Sequence, residues 1–485
     1  MDPIALTGGG SISLVAPHSE HVLRLDGTKI VPGIAERWEL ASDGLSWTFY
    51  IRRGVKFQNL TEVTGKDVKF SLERFASKQA ALSALRDIID RIELVDDYTV
   101  RIYTKGKQPF LTFYVGMWAP QYGIVMPKDY IEANGLDYYK RHPIGAGPYK
   151  MVRYVPGDMG RYEAFEQYWR GAPAFKTLDL IQVPEQTTRV AMLKTGTVDA
   201  VDIDIESAVE LERAGFRTFT TAIYTPTVMF IGVHDPRAAG MPMADIRVRQ
   251  ALSLAINRDE MGKAFFLGKL GPVMPAFLSE SHADIDVPYW RDYAAKLYRY
   301  DPEKAKQLLA EAGYAKGLSF KLYNYSLRGG TYLPKMAEVL QAYWARIGVN
   351  AEMAPIDWGA IRAQLLARPQ PMQLIGQACT GRYLAEPNII SALSFGYTTG
   401  TYGLYYGSPE YKQFDDLLLA AQSETNEKKR QEIVAQVVKA VTDSYTAIQI
   451  GSISDMLAIG PKVDANLPTP TISIPMFTDL FRHRK

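Results

Sequence analysis

One cysteine stands in 485 residues. Cys379 alone can form neither an intramolecular disulfide nor a thiolate metal cluster, which excludes a disulfide scaffold and a zinc ribbon. So little cysteine is compatible with a cytosolic enzyme and equally suits an oxidising bacterial compartment. An excess of one charge is also missing: 55 Lys and Arg face 53 Asp and Glu, a net of +2. Such a balance provides no clustered basic footprint, so no nucleic acid is expected as a partner. No membrane-spanning run exists either. The uncharged stretch 108–127 is interrupted by Pro109, Gly116, Pro120, Gly123 and Pro127, and the stretch 387–409 is mostly Gly, Ser, Thr and Tyr, so neither reads as a spanning helix. The chain opens Met1-Asp2-Pro3 without a basic segment and apolar core. An export signal is therefore expected to have been removed or never present.

Catalytic motifs are missing as well. Among six histidines, His18 and His21 are close enough for a metal pair, yet no third ligand or HExxH spacing accompanies them, so they read as surface or loop residues. Gly145-Ala146-Gly147-Pro148-Tyr149 and Gly8-Gly9-Gly10-Ser11 lack the lysine of a phosphate cradle. No Gly-x-Ser-x-Gly elbow occurs, and Gly407-Ser408-Pro409 reads as a turn. Asp202 and Asp204 are two apart, which without further oxygen ligands reads as a solvated face. No catalytic residue, metal or cofactor is expected.

What is there is a soluble globular composition, 47% hydrophobic and 22% charged, long enough for about three compact units at roughly 100–200 residues each. Trp47, Phe49 and Ile51 alternate with polar neighbours as a half-buried strand, and Arg52-Arg53-Gly54 predicts a hairpin into Val55-Lys56-Phe57. Tyr98, Val100 and Ile102 repeat the pattern. Asp301-Pro302 caps a helix with Ala305, Leu308, Leu309 and Ala312 inward and Gly313 at its end. Further helices are predicted over 333–347, 246–257, 411–422 and 426–442, and a strand over 349–353. The class is mixed α/β.

Two apolar runs lie far apart, Thr227 to Val233 and Thr446 to Ile450. Either both cross one interface and enclose a lobe of about 210 residues, or both are core strands of a single sheet. Four of the 29 tyrosines fall in the uncharged run 395–406, where rings, small residues and hydroxyls suit either a recognition surface or a packed loop.

Seven blocks then occur in an order that resembles the family-5 extracellular solute-binding proteins, the peptide/nickel/opine-type receptors of ABC importers. Val31-Pro32-Gly33-Ile34-Ala35-Glu36-Arg37-Trp38 is similar to the family's P-x-L-A-x-x-W, and it leads into 47–57 and then Thr64 to Leu72. His142 to Tyr149 is similar to N-P-x-G-T-G-P-Y, and Leu193 to Ala200 to the L-x-x-G-x-x-D block. Val248 to Arg258 and Asp301 to Tyr314 complete the set. The resemblance implies a two-lobed periplasmic-binding-protein-like fold with mixed sheets, an interlobe cleft and a subdomain inserted in lobe one. Lobe one would comprise 1–30, 145–230 and 455–485, the insertion 31–144, and lobe two 231–454. It also implies a monomeric, non-enzymatic receptor outside the cytoplasm that hands a small molecule to an ABC permease by lobe closure. An oligosaccharide or peptide receptor of the same fold and a cleft hydrolase are the alternatives. Gly145 and Gly147 fit positive-φ or close-approach positions.

The departures from the family carry the site predictions. The usual K-F-H-D-G reads Lys56-Phe57-Gln58-Asn59-Leu60, so that loop is rebuilt. By resemblance Tyr402, Tyr405 and Tyr406 line the cleft, with Trp118 a further candidate. Where peptide-binding members hold the ligand's amine with an aspartate, the matching stretch reads Cys379-Thr380-Gly381-Arg382-Tyr383. Arg382, with Tyr383 beside it, implies an anionic or neutral polar ligand in preference to ordinary peptides. The alternative is that Arg382 pairs with a protein carboxylate such as Glu386.

Overall fold

The computed structural model describes residues 1–5, 9–26, 29–117, 122–282, 285–327, 330–384, 412–465 and 480–484. Trp118, Glu386, Tyr402, Tyr405 and Tyr406 lie outside them. A seven-stranded mixed sheet runs through the molecule. Its centre is the long strand Arg217–Ile231. One half of that strand pairs with Ile453–Ile459, and the other with Gln377–Leu384 and Ala447–Gln449. Leu318–Asn324 and Val349–Pro355 pair in parallel beyond. The helix Leu333–Ala345 makes the crossover between them, as a parallel pair requires.

Three hydrophobic cores pack on this frame. Residues 4–25 and 34–146 share one, residues between 190 and 211 form a small second, and a large third gathers most apolar side chains of 228–453. The strand Ile453–Ile459 touches all three. Ile453 enters the large core, Met456 and Ala458 enter the small one, and Leu457 and Ile459 enter the N-terminal one. The two-residue period of a strand sends alternate side chains to opposite faces, so two cores sandwich one end of the sheet and the third surrounds the other end. Both apolar runs read as crossing candidates pair with each other, Thr227 with Gln449 and Met229 with Ala447.

The predicted helices form. Asp301 Oδ1 accepts from the Lys304 amide at 3.0 Å and Gly313 closes that helix at φ +90°. The expected helix 246–257 ends at Leu254, because Asn257 instead caps a second helix, Arg258–Ala264. Arg249 and Arg258 of this block are buried. They donate to the carbonyls of Ser444 (2.8 Å) and Gln449 (3.0 Å), tying both helices to the crossing segment. The hairpin expected over 47–57 does not form. Ser46–Ile51 is already paired on both edges, by Ala35–Leu40 and Thr99–Thr104. Gly54, at φ +77°, turns the chain away, and Val55 and Phe57 bond instead to Val63 and Thr61.

One segment of the N-terminal part reaches the large core. Phe110, 5% exposed, belongs to that core, Phe113 packs beside it, and the Arg430 guanidinium lies 5.1 Å from the Phe110 ring. Trp47 Nε1 anchors the segment by donating to the Gln108 carbonyl at 2.8 Å.

Candidate functional site

The place where the long strand leaves one group of cores for the other is marked by a break in pairing. Thr220 faces Met456 and Ile223 faces Ser454, so Thr221 and Ala222 together oppose Asp455. Such a bulge twists the strand and re-aims the side chain opposite it. On the other side of the long strand, Arg382 stands opposite Pro226. Its guanidinium reaches Asp455, with Nη1 donating to Oδ1 at 2.9 Å and Nη2 to Oδ2 at 3.3 Å. The Tyr224 ring lies under it, 3.5 Å from Cζ to the centroid. Gly330 leaves room for its stem, since a Cβ there would sit 3.1 Å from Arg382 Cδ.

Burial works against the charge on Arg382, but the Asp455 carboxylate outweighs it and holds the guanidinium protonated above its ordinary range. Burial pushes the Tyr224 phenol up, and the neighbouring Asp455 charge pushes it further. The Tyr332 hydroxyl is also buried beside the pair, and that burial raises its phenol. A bidentate ion pair, two phenols and a strand break therefore meet where the chain crosses between cores.

Of the residues expected to bind ligand, Arg382 stands beside the strand break and pairs with a protein carboxylate. Its carboxylate partner is Asp455, 73 residues along the chain. Tyr383, one position on, points into the large core at 5% exposure, its hydroxyl on the Met229 sulfur and its ring edge-on to Phe277 at 4.9 Å. Cys379 is buried and its thiol is pushed up to about 12, which leaves it protonated and unreactive. Among the described residues no group of three or more His, Cys, Asp or Glu could hold a metal ion.

His18 and His21 correct the expectation of surface histidines, with 1% and 3% exposure. The reason lies in the glycine block. A Cβ on Gly145 would meet the His18 carbonyl at 2.1 Å, and one on Gly147 the Ser19 nitrogen at 2.5 Å. Neither glycine has positive φ, so close approach is their role. Gln58, which replaces the family histidine, locks this junction. Its Nε2 donates to the carbonyls of Tyr149 (2.7 Å), Gly147 (3.1 Å) and His18 (3.2 Å), and its Oε1 accepts from the Gly145 amide at 3.1 Å.

Asp455, Tyr224 and Tyr332 were not anticipated. A signal for the first was present, since Asp455 is the single charge between Asp443 and Lys462, inside an apolar strand. A charge there needs a partner.

Comparison with known proteins bears on the family and the fold. The family model for bacterial extracellular solute-binding proteins, family 5, matches residues 29–401. The dipeptide-binding protein of Escherichia coli is 28% identical over 450 residues, 87% of this chain and 81% of that protein. Heme-binding protein A of Haemophilus influenzae is 27% identical over 91% of this chain and 82% of its own length. The fold matches MoaA of A. tumefaciens R10, solved with mannopinic acid, at a TM-score of 0.74 and 24% identity, covering 100% of this chain and 97% of that one. The chain belongs to the family-5 bacterial extracellular solute-binding proteins, two-lobed α/β receptors that serve ABC importers.

Proposed function

We propose that this chain is a non-enzymatic receptor that encloses a small polar organic molecule between two lobes outside the cytoplasmic membrane and delivers it to an ABC permease. Lobe one is assigned to 1–30, 145–230 and 455–485 with 31–144 inserted, and lobe two to 231–454. The observation that carries the reading is the strand Ile453–Ile459, which leaves the large core at Ile453 and enters the other two from Met456 onward. Two paired strands crossing between separate cores allow the bodies to rotate while few residues change conformation. The named curated relatives above are binding proteins, and no helix among the described residues is long and apolar enough to cross a membrane.

An anionic ligand was expected from Arg382, but its charge is already matched by Asp455. A neutral polar ligand remains favoured by the pair's zero net charge. Native mass spectrometry of the purified protein tests the receptor reading. A retained small-molecule mass, displaced but not converted on incubation with an excess of fresh ligand, is expected. Steady accumulation of a product would overturn it in favour of a cleft hydrolase.

A further inference from the structure

The segment 266–271 lies across the place where the chain passes between cores. Phe266 is buried in the large core, and Leu270 packs against it. Between them Leu267 (φ +50°) and Gly268 (φ +78°) make a tight turn. The Gly268 amide donates to the Gly262 carbonyl at 2.8 Å, and the Lys269 amide to the Phe266 carbonyl at 2.8 Å. A leucine in the left-handed region is uncommon and persists where its surroundings fix it. The Gly271 amide donates to the Ser452 carbonyl at 2.7 Å, and the Ser452 amide donates back at 3.4 Å. A Cβ on Gly271 would meet Ser452 Oγ at 2.5 Å, and one on Gly451 would meet Leu270 Cγ at 2.7 Å, so the two segments lie flush. Gly451 and Ser452 join Ala447–Gln449, in the large core, to the crossing strand Ile453–Ile459.

From this seat Lys269 reaches the other body. Its Nζ donates to Glu212 Oε1 at 2.8 Å and to Oε2 at 2.9 Å. Glu212 stands in the last turn of the helix Ile205–Arg213, whose Ala208 and Leu211 belong to the small core. The Thr218 hydroxyl donates to the same carboxylate, and the two donors hold it below its ordinary range. Ile205, at the start of this helix, already touches the large core, so the ion pair adds a second fastening at the far end. Lys269 is 33% exposed and Glu212 35%, which leaves the pair open to screening by water and salt.

We propose that the segment 266–271 is a strap over the crossing, and that the Lys269–Glu212 pair biases the two lobes toward the arrangement described here by a margin that ionic strength sets. The proposal rests on the receptor reading above and adds a regulation to it. Lys269 falls in lobe two and Glu212 in lobe one, so rotation about the crossing changes the separation of these charges. A pair of this exposure shifts such a balance by about two- to fivefold. That is too little to lock the receptor and enough to tune how readily it opens, whatever the charge of the solute.

The test places spin labels on Thr188→Cys and Glu338→Cys, exposed helical sites on the two bodies, and reads their separation by pulsed electron resonance. Cys379 is buried and takes no label. Raising the salt from about 0.01 M to about 1 M shortens the screening length from about 30 Å to about 3 Å. In the native protein this should lower the ratio of the separation seen here to a second one by about two- to fivefold. Lys269→Gln should show the lowered ratio at low salt and then ignore salt. The charge-swapped Lys269→Glu/Glu212→Lys should recover at least part of the native ratio, which a fold damaged by substitution would not do. A native separation unmoved by salt, an equal salt response in Lys269→Gln, or no recovery in the swapped variant would overturn the proposal. A small-molecule mass retained by a protein whose lobes ignore salt would leave the receptor reading standing while this one fell. A salt-dependent separation in a protein that accumulates product would do the reverse.

Discussion

Cutting the ion pair from either side should cost unequal amounts, and the order follows from exposure. Asp455→Ala strands a guanidinium that is 95% covered. Water cannot rehydrate it in place, so the loss approaches the about 3–5 kcal/mol expected for breaking a buried pair. The Tyr224 ring under the cation returns part of this, about 1 kcal/mol. Arg382→Ala strands a carboxylate that is 37% exposed, which solvent screens, so about 1–2 kcal/mol is expected for the charge. Lost packing of the arginine stem adds to this and narrows the gap. Urea unfolding of the native protein, both single variants and the double alanine variant gives the four corners of a cycle, compared through midpoints at unchanged m-value. Asp455→Ala should be the less stable single variant by about 1–2 kcal/mol, and the double variant should recover part of its loss. A less stable Arg382→Ala, or additive losses in the double variant, would refute the assignment of the carboxylate as the exposed partner.

Acid should weaken the fold through one buried and one half-buried histidine. Burial lowers His18 to about 4 and His234 to about 3, while the unfolded chain protonates near 6.5. The unfolded state thus binds more protons below pH 6.5, and stability falls as pH drops toward 4, by up to about 1.4 kcal/mol per pH unit for each histidine. His234→Gln, which can keep a hydrogen bond to Thr446, should flatten the urea-midpoint profile by one such slope, and an unchanged profile would exclude His234. Gly147→Ala places a methyl 2.5 Å from the Ser19 backbone nitrogen and should cost about 3 kcal/mol. Gly54→Ala, at φ +77° with nothing within 4 Å, should cost only about 1 kcal/mol. Similar urea midpoints for the two would mean that close approach is not what Gly147 provides.

Local chemistry carried the helices. An Asp301 cap, an inward stripe and a Gly313 stop are all written within 13 residues, and the helix forms between them. The period of two in 47–51 correctly marked a strand but said nothing of its partners. Those came from Ala35–Leu40 and Thr99–Thr104 and excluded the local hairpin. His18 looked solvated because its surroundings, Gly145, Gly147 and Gln58, approach from 40 or more residues away. Arg382 was legible as an unusual charge. Its partner was not, because no local rule links a strand residue to an aspartate 73 positions later across a bulge. The close-approach glycines were legible, since only one residue type fits a backbone that meets another backbone.

If the chain encloses a solute as proposed, the docking of Phe110 would set a time as well as a shape. The segment 108–117 and the crossing strands join the N-terminal part to the large core at separate places, and on the proposed receptor reading a molecule enclosed between the lobes leaves when such contacts give way. The strands are continuous chain, whereas the Phe110 contact with the large core and Arg430, like the Lys269–Glu212 ion pair, is a side-chain contact that can release. Withdrawing one buried phenylalanine into water costs about 1.5–3 kcal/mol, which on that reading would lengthen the dwell of an enclosed solute by about 10–150-fold over a mouth without it. Such a catch would slow escape into the surrounding fluid, and a membrane partner that grips both bodies and draws Phe110 out would cancel the delay only at the point of delivery.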